Sequence, residues 1–167
     1  MELTANSSYC VYYTFLDYWK QICTNHPSIG FVSQGDVFGI DNKEFPMYPL
    51  ANIQIVETAM DSKVITHRMV LTVADKPKEI DIDSVDAYNK NTIPYEGIND
   101  VVDIHANTLG IITDLLAFTT KYGRFEVSNI RCIPFEDKFD NVLAGNTCSF
   151  DISMPNECWN ACYINLL

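Results

Sequence analysis

The sequence predicts a single α+β domain over residues 1–167: a mainly antiparallel sheet with a long β-hairpin, one long helix packed across it, and an N-terminal helix. Two patterns support this prediction. Residues 49–74 alternate apolar and polar side chains in two arms, which is typical of half-buried antiparallel strands. Residues 98–121 instead repeat apolar side chains every three or four positions, which is typical of an amphipathic helix.

The hairpin over 49–74 is longer than hairpins usually are. Its turn is predicted around Asp61 and Ser62, whose side chains can bond to nearby backbone groups. The second arm alone, 63–74, would extend about 40 Å at ~3.3 Å per residue, whereas a usual strand has about 5–6 residues. We therefore expect the hairpin to extend beyond its own domain, so that its exposed edge and apolar face need a partner.

The first helix is predicted over residues 7–24. It ends before Pro27, because the residue preceding a proline is disfavoured in the helical conformation. This much aromatic area on one helix predicts docking on a sheet or on a neighbouring subunit. The apolar face contains Tyr12, Phe15, Leu16, Trp19, Ile22 and Cys23.

The main helix over 98–121 carries Gly110 on its polar face, where glycine costs ~1 kcal/mol relative to alanine. A close backbone contact with another subunit would explain this residue, and an uncompensated exposed glycine is the alternative. The predicted core face contains Ile98, Val101, Val102, His105, Leu109, Ile112, Leu115, Leu116 and Thr119.

Between the hairpin and the main helix lies a polar, acidic segment, 75–97, predicted to be a loop. Loops of this length in compact domains usually make functional contacts. Asp81, Asp83 and Asp86 raise the possibility of calcium, but their spacing does not fit the EF-hand template. We expect a solvated acidic loop.

The remaining segments predict short strands and connections. Residues 29–40 predict two short strands around a turn at 34–36, with glycines that are not spaced as a phosphate-binding loop. Residues 124–134 predict a strand with a bulge at Ser128–Asn129, and 135–145 a turn-rich connection. Residues 146–154 predict another strand. The apolar tail, 157–167, is either pinned to the core or offered to a partner.

Composition and charge exclude several classes of protein. The net charge of −11 and a pI near 4.5 argue against a protein that grips nucleic acid phosphates. The sequence has no run of ~18 apolar residues, so no membrane span is expected, and its N-terminus lacks the pattern of a secretory signal. We expect the six cysteines to be buried, reduced thiols of a cytoplasmic protein rather than disulfides.

The sequence contains no recognisable catalytic or metal-binding motif. His26, His67 and His105 are dispersed, and each is expected to be a core or interface histidine. Cys158 and Cys162 are spaced as one helical turn, but a zinc site needs four ligands and no second pair has ligand spacing. We therefore predict neither an enzyme nor a bound cofactor or metal.

Several short segments carry a resemblance to a known family: His26–Pro27, Gly35–Asp36, Tyr48–Leu50, Asp140–Asn141, Ala144–Gly145 and Pro155–Cys158. With the order of predicted elements, they resemble the tail-terminator and head–tail connector proteins of tailed bacteriophages, notably the crAss-like group. The acidic loop 75–97 departs from that family. The resemblance implies a homo-oligomeric ring in the virion neck, assembled in the bacterial cytoplasm, that contacts portal, neck and tail proteins while DNA passes through its bore without sequence recognition.

The predicted function is therefore a structural virion protein, a ring-forming subunit of the phage neck or tail. A ring needs head-to-tail interfaces between unlike patches, and negative charge facing the bore would let DNA slide. The alternative is a monomeric acidic binding or inhibitor domain of phage or bacterial origin. The candidate subunit interface contains Tyr12, Phe15, Trp19, Met60, Asp61, Ser62, Gly110, Trp159 and Tyr163.

Overall fold

The computed structural model describes residues 7–35, 47–77, 99–122, 125–138 and 143–155. These residues form one five-stranded sheet and two helices, which confirms the predicted α+β class. The helices are α1 (Ser7–Thr24) and α2 (Asn99–Tyr122), and the strands are β1 (Phe31–Gln34), β2 (Leu50–Met60), β3 (Val64–Asp75), β4 (Glu126–Lys138) and β5 (Leu143–Pro155).

The predicted hairpin is present as β2 and β3, paired in antiparallel register from Leu50 opposite Ala74 to Met60 opposite Ile65. The strand order is β1-β2-β3-β5-β4, so β3 is an interior strand. All of β3 also pairs with β5, from Val64 opposite Pro155 onward. The expectation that both arms extend beyond the domain is therefore wrong for β3, whose two edges are both occupied.

Strand β1 adds a parallel pair to a sheet whose other pairs are antiparallel. It covers only the first part of β2, from Leu50 to Ile53. It ends at Gln34 and is followed by Gly35, whose φ of 110° is readily adopted only by glycine. The second short strand predicted within 29–40 lies outside the described residues, as do the acidic loop beyond Pro77 and the apolar tail.

Both helices cover the same face of the sheet. On β3 this face carries Ile65, Met69, Leu71 and Val73, which alternate with more exposed or polar residues on the opposite face, as the pleat requires. Helix α1 packs mainly over β1 and β2, whereas α2 packs mainly over β3, β4 and β5. The main helix therefore lies across the second arm of the hairpin and its neighbours rather than across both arms.

Helix α1 has the predicted bounds, and its aromatic face forms part of the core. Phe15 and Trp19 are buried, and the Trp19 ring lies 5.4 Å from that of Phe150 on β5. Phe15 stacks on the ring of His67 at 4.7 Å between centroids. Helix α1 is therefore fixed to the sheet by side chains that reach past the hairpin to β5.

The core face of α2 differs from the prediction. Val102 and Leu109 are exposed, whereas Ile104, Thr108 and Ile111 are buried. Apolar residues lie on nearly every side of this helix, so three- and four-residue spacing does not identify a unique face. The hydroxyl of each buried threonine of α2 donates a hydrogen bond to the helix backbone: Thr108 donates to the carbonyl oxygen of Ile104, and Thr119 to that of Leu115.

Strands β4 and β5 are longer than predicted, because the ladder occupies part of 135–145, which was predicted to be turn-rich. Phe135 pairs with Gly145, and Lys138 with Leu143. Pro134 does not end β4, because β4 is an edge strand and proline is tolerated there. Position 145 requires glycine because β5 lies close to β3 there. A Cβ on Gly145 would contact the Val73 carbonyl oxygen and lie 2.8 Å from the Ala74 Cα.

The predicted bulge at Ser128–Asn129 is confirmed. Ser128 pairs with Asp151, and the next paired residue of β4, Arg131, faces Ser149, so β4 holds one extra residue. Asn129 takes a φ of 53° there. Asparagine tolerates this left-handed conformation better than most residues do.

Candidate assembly surfaces

The outer edge of β2 becomes exposed toward the tip of the hairpin. We define the hairpin edge as Gln54–Met60, the part of β2 beyond its pairing with β1; no described strand pairs with its outer side. Val56, the extra residue of a bulge opposite β3, is 56% exposed, and Met60 is 74% exposed. This edge therefore presents unpaired backbone groups together with apolar side chains.

The opposite side of the sheet has a second open edge. Among the described strands, β4 pairs only with β5, so its outer side is unpaired. Ile130 in the bulge and Ile133 are each 54% exposed. We define the β4 edge as Glu126–Lys138. It lies three strand spacings from β2, about 14 Å at ~4.8 Å per spacing.

Both edges carry features that disfavour indiscriminate strand pairing. The hairpin edge has its bulge at Val56 and a charge at Glu57, and the β4 edge has a bulge and Pro134. Such features prevent a flush ladder between arbitrary strands. A specific partner would therefore recognise these edges largely through side chains.

Two of the predicted interface residues are not available to a partner. Phe15 and Trp19 are buried in the core of the subunit, with Trp19 0% exposed. Their prediction as interface residues is wrong, because the sheet of the same chain covers the aromatic face of α1. Tyr12 is 41% exposed and contacts His67 edge-on, with 5.9 Å between ring centroids.

The other predicted interface residues lie at separate places. Met60, Asp61 and Ser62 form the exposed tip of the hairpin, where the Ser62 backbone amide donates to the Asp61 carboxylate. Gly110 lies on the exposed side of α2, and a Cβ there would meet no atom within 4 Å. Trp159 and Tyr163 lie outside the described residues.

A polar network crosses the sheet face that the helices leave uncovered. Arg68 donates to Asp151 on β5 at 3.1 Å and to Glu57 on β2 at 2.9 Å. The side-chain amide of Asn129 donates to the other Asp151 oxygen at 2.7 Å. The Asn129 hydrogen bond, followed by that from Arg68, lowers the pKa of Asp151. The network ties β2, β3, β4 and β5 together.

The three histidines occupy separate environments. His67 is buried, its Nδ1 lies 2.8 Å from the Thr58 hydroxyl, its Nε2 has no hydrogen-bond partner, and burial lowers its pKa. The Nε2 of His105 lies 3.0 Å from the Phe135 carbonyl oxygen. His26 lies 3.8 Å from Asp114 on α2. The described residues therefore do not bring the histidines together.

The described part of the chain shows no arrangement typical of a catalytic or metal site. It contains no group of three or more His, Cys, Asp or Glu side chains that could hold a metal ion. A cavity of about 200 Å³ between α1 and the β1–β2 edge, lined in part by Leu16, Lys20 and Ile53, is smaller than usual ligand pockets of about 300–1,000 Å³.

Helix α2 combines a length of 24 residues with a largely apolar composition. Its segment Val101–Lys121 has the length and composition of a membrane span, with a mean hydropathy of 1.3. Core helices share these properties, and α2 packs one face on the sheet while Asp103 and Asp114 are exposed on the other.

Among known proteins, no family model matches the chain and no curated protein is similar to it.

Proposed function

We propose that the chain is a structural subunit of a tailed-bacteriophage virion, which assembles into a ring in the neck or tail. The observation that carries the proposal is the pair of open sheet edges. The hairpin edge exposes Val56 and Met60, and the β4 edge on the other side of the sheet exposes Ile130 and Ile133. Two unlike apolar edges on opposite sides suit a head-to-tail contact between copies, which forms a ring when the rotation between neighbouring copies closes.

Side-chain packing of Val56 and Met60 against Ile130 and Ile133 of the next copy would remove these apolar surfaces from water. Burial of apolar area contributes about 25 cal/mol per Å². The bulges on both edges make the contact selective, because only a matching pair of irregular edges fits closely. The resemblance of several chain segments to neck proteins supports the same assignment, with portal and tail proteins as partners above and below the ring.

The net charge of −11 fits a ring that DNA traverses. Acidic side chains around a bore repel phosphates, so the duplex slides without sticking. The same acidic surface also supports the second candidate, a monomeric binding or inhibitor domain. In that case, the open hairpin edge would receive a strand from a different protein.

The test is the oligomeric state of purified protein, measured by light scattering and by electron microscopy over a range of concentrations. We expect a ring of defined mass. Val56→Lys and Ile133→Lys should each prevent ring closure, because each places a charge in one half of the contact. Both side chains are exposed, so the fold should keep its stability within about 0.5 kcal/mol.

A mixture of the two variants tests whether the contact is head-to-tail. Val56→Lys keeps an intact β4 edge and Ile133→Lys keeps an intact hairpin edge, so the mixture should form a 1:1 dimer that grows no further. Val102→Lys, on the exposed side of α2, is the matched control and should leave the ring intact.

Three outcomes would contradict the proposal. A homodimer of Ile133→Lys alone would indicate a contact between like edges. Loss of the ring in Val102→Lys but not in the edge variants would place the contact on α2. A protein that is monomeric at every concentration and with neck and portal proteins present would favour the binding-domain alternative.

A further inference from the structure

Two cysteines face each other across the last strand pair of the sheet. Cys132 on β4 is directly opposite Cys148 on β5. Opposite residues in an antiparallel pair have Cα atoms about 4.5–5.5 Å apart, within the ~4.4–6.8 Å range that a disulfide requires. The Cys148 side chain belongs to the apolar core beneath the helices, and the Cys132 side chain packs against that core. The backbone therefore holds the two residues at a separation that a disulfide can span.

The two thiols differ in their access to solvent. Cys148 is fully buried, and burial raises the pKa of its thiol. Cys132 is only partly buried, because β4 is an edge strand. The thiolate is the form that attacks a disulfide. Cys132 is therefore the thiol that a soluble oxidant reaches first, and Cys148 is the internal thiol that resolves the product.

We propose that Cys132 and Cys148 are a redox-active pair, which a low-molecular-weight disulfide such as oxidised glutathione converts into a cross-strand disulfide. In the first step, the Cys132 thiolate attacks the oxidant, forming a mixed disulfide and releasing one glutathione thiolate. In the second step, the Cys148 thiolate attacks the Cys132 sulfur and releases the second glutathione. The two cysteines lose two protons and two electrons, and the oxidant is reduced to two glutathione thiols.

A cysteine outside this strand pair provides an internal comparison. Cys23 on α1 is free and fully buried, and burial raises its pKa to about 12. Cys23 lies in a helix and not in a strand pair, so no strand register holds a second thiol opposite it. The same oxidant should therefore leave Cys23 reduced. Selectivity of this kind depends on register rather than on burial alone.

The test is equilibration of the folded protein in glutathione buffers of increasing oxidised fraction. The reaction is stopped with an alkylating reagent, and proteolytic peptides are identified by mass spectrometry. We expect a linked peptide that contains Cys132 and Cys148, with Cys23 alkylated in every buffer. Failure of the link to form at any ratio, or pairing of Cys132 with a cysteine other than Cys148, would overturn the proposal.

Single variants separate the two roles. Cys148→Ser should trap Cys132 as a stable mixed disulfide with glutathione, because the resolving thiol is gone. Cys132→Ser should leave Cys148 unmodified while the protein stays folded. A mixed disulfide on Cys148 in the second variant would contradict the assigned order of attack.

A double variant tests the register itself. Cys148→Ser combined with Ser149→Cys moves the thiol by one position and onto the opposite face of the sheet. We expect no link between Cys132 and the thiol at position 149, and a link there would show that mobility rather than register governs the reaction. The glutathione equilibration can also be run on the Val56→Lys variant, which should not form a ring. The outcome for the disulfide is therefore separate from the outcome for ring assembly.

Discussion

At the scale of single residues, His67 is the most unusual part of the core. Its ring is buried against Phe15, and only Nδ1 has a hydrogen-bond partner, the Thr58 hydroxyl. The Nε2 atom is buried without a partner. A neutral imidazole tolerates this environment better than a charged imidazolium does, because burial without a counter-charge penalises the charged form.

This environment predicts a pH dependence of stability. Burial lowers the pKa of His67 in the folded protein, so the unfolded chain binds the proton more readily. The contribution of neutral His67 is fully present above the unfolded pKa, about 6.5, and is lost as the pH falls through that value toward the folded pKa. His67→Phe should therefore lose less stability between pH 7 and pH 5 than the wild type, as measured by urea unfolding.

The matched control for this prediction is His26→Gln. His26 lies near the exposed carboxylate of Asp114 rather than in the core. This variant should not reduce the loss of stability on acidification, because it leaves the buried imidazole of His67 in place. If His67→Phe and the wild type lose equal stability on acidification, the buried imidazole is not the cause.

Asn129 is a second residue whose role is set by local geometry. Its φ of 53° shapes the β4 bulge, and its amide holds Asp151. Asn129→Val should lower the free energy of unfolding by about 2 kcal/mol, because a β-branched residue is strained in this conformation. Asn129→Gly should cost only about 1 kcal/mol, the usual contribution of a hydrogen bond.

The neighbouring Ser128→Val variant is the control for Asn129. Ser128 pairs regularly with Asp151 and is exposed, so valine there should change stability by less than about 0.5 kcal/mol. Chemical denaturation of the three variants measures these differences. Equal losses in the valine and glycine variants at position 129 would mean that backbone conformation contributes nothing.

At the scale of helices and strands, the sequence predicts the elements better than it predicts what covers them. Period-two alternation identified both hairpin arms, and the aromatic face identified α1 with its observed bounds. An apolar face does not say which surface buries it, however. Phe15 and Trp19 were therefore predicted at a subunit interface, although the sheet of the same chain covers them.

The open edge at β4 was harder to predict than the exposed edge of the hairpin, for a related reason. Strand order is set by pairing between distant segments, so local sequence could not show that β4 ends the sheet. Pro134 was the available signal, because proline is confined largely to edge strands. Alternation with Cys132, whose side chain packs on the core, would direct Ile130 inward, but the bulge leaves Ile130 54% exposed.

The burial of α1 leads to a prediction that separates core from surface. Trp19→Ala should lower the free energy of unfolding by about 3–5 kcal/mol, because it removes a fully buried ring beside Phe150. Tyr12→Ala, on the same helix but partly exposed, should cost much less, about 1 kcal/mol. Urea unfolding followed by circular dichroism measures both. Similar small losses would mean that α1 is not seated on the sheet in solution.

At the scale of the whole molecule, the net charge rather than the shape limits which ligands the protein can bind. With a net charge of −11, the protein should not bind duplex DNA at physiological salt. Fluorescence anisotropy of a labelled duplex tests this, with a basic DNA-binding protein as the positive control. Tight binding that weakens steeply as salt rises would indicate a basic surface that binds phosphates, and would contradict the proposed bore through which DNA slides.

The central position of β3 has a consequence for synthesis. One neighbour of β3 is its hairpin partner, but the other, β5, begins at Leu143 and is made much later by the ribosome. Until β5 is synthesised, the edge of β3 that pairs with β5 has no partner, and exposed strand edges of this kind aggregate readily. Nascent chains that stop before β5 should therefore depend on chaperones, and the domain should fold slowly because its central pairing joins such distant segments.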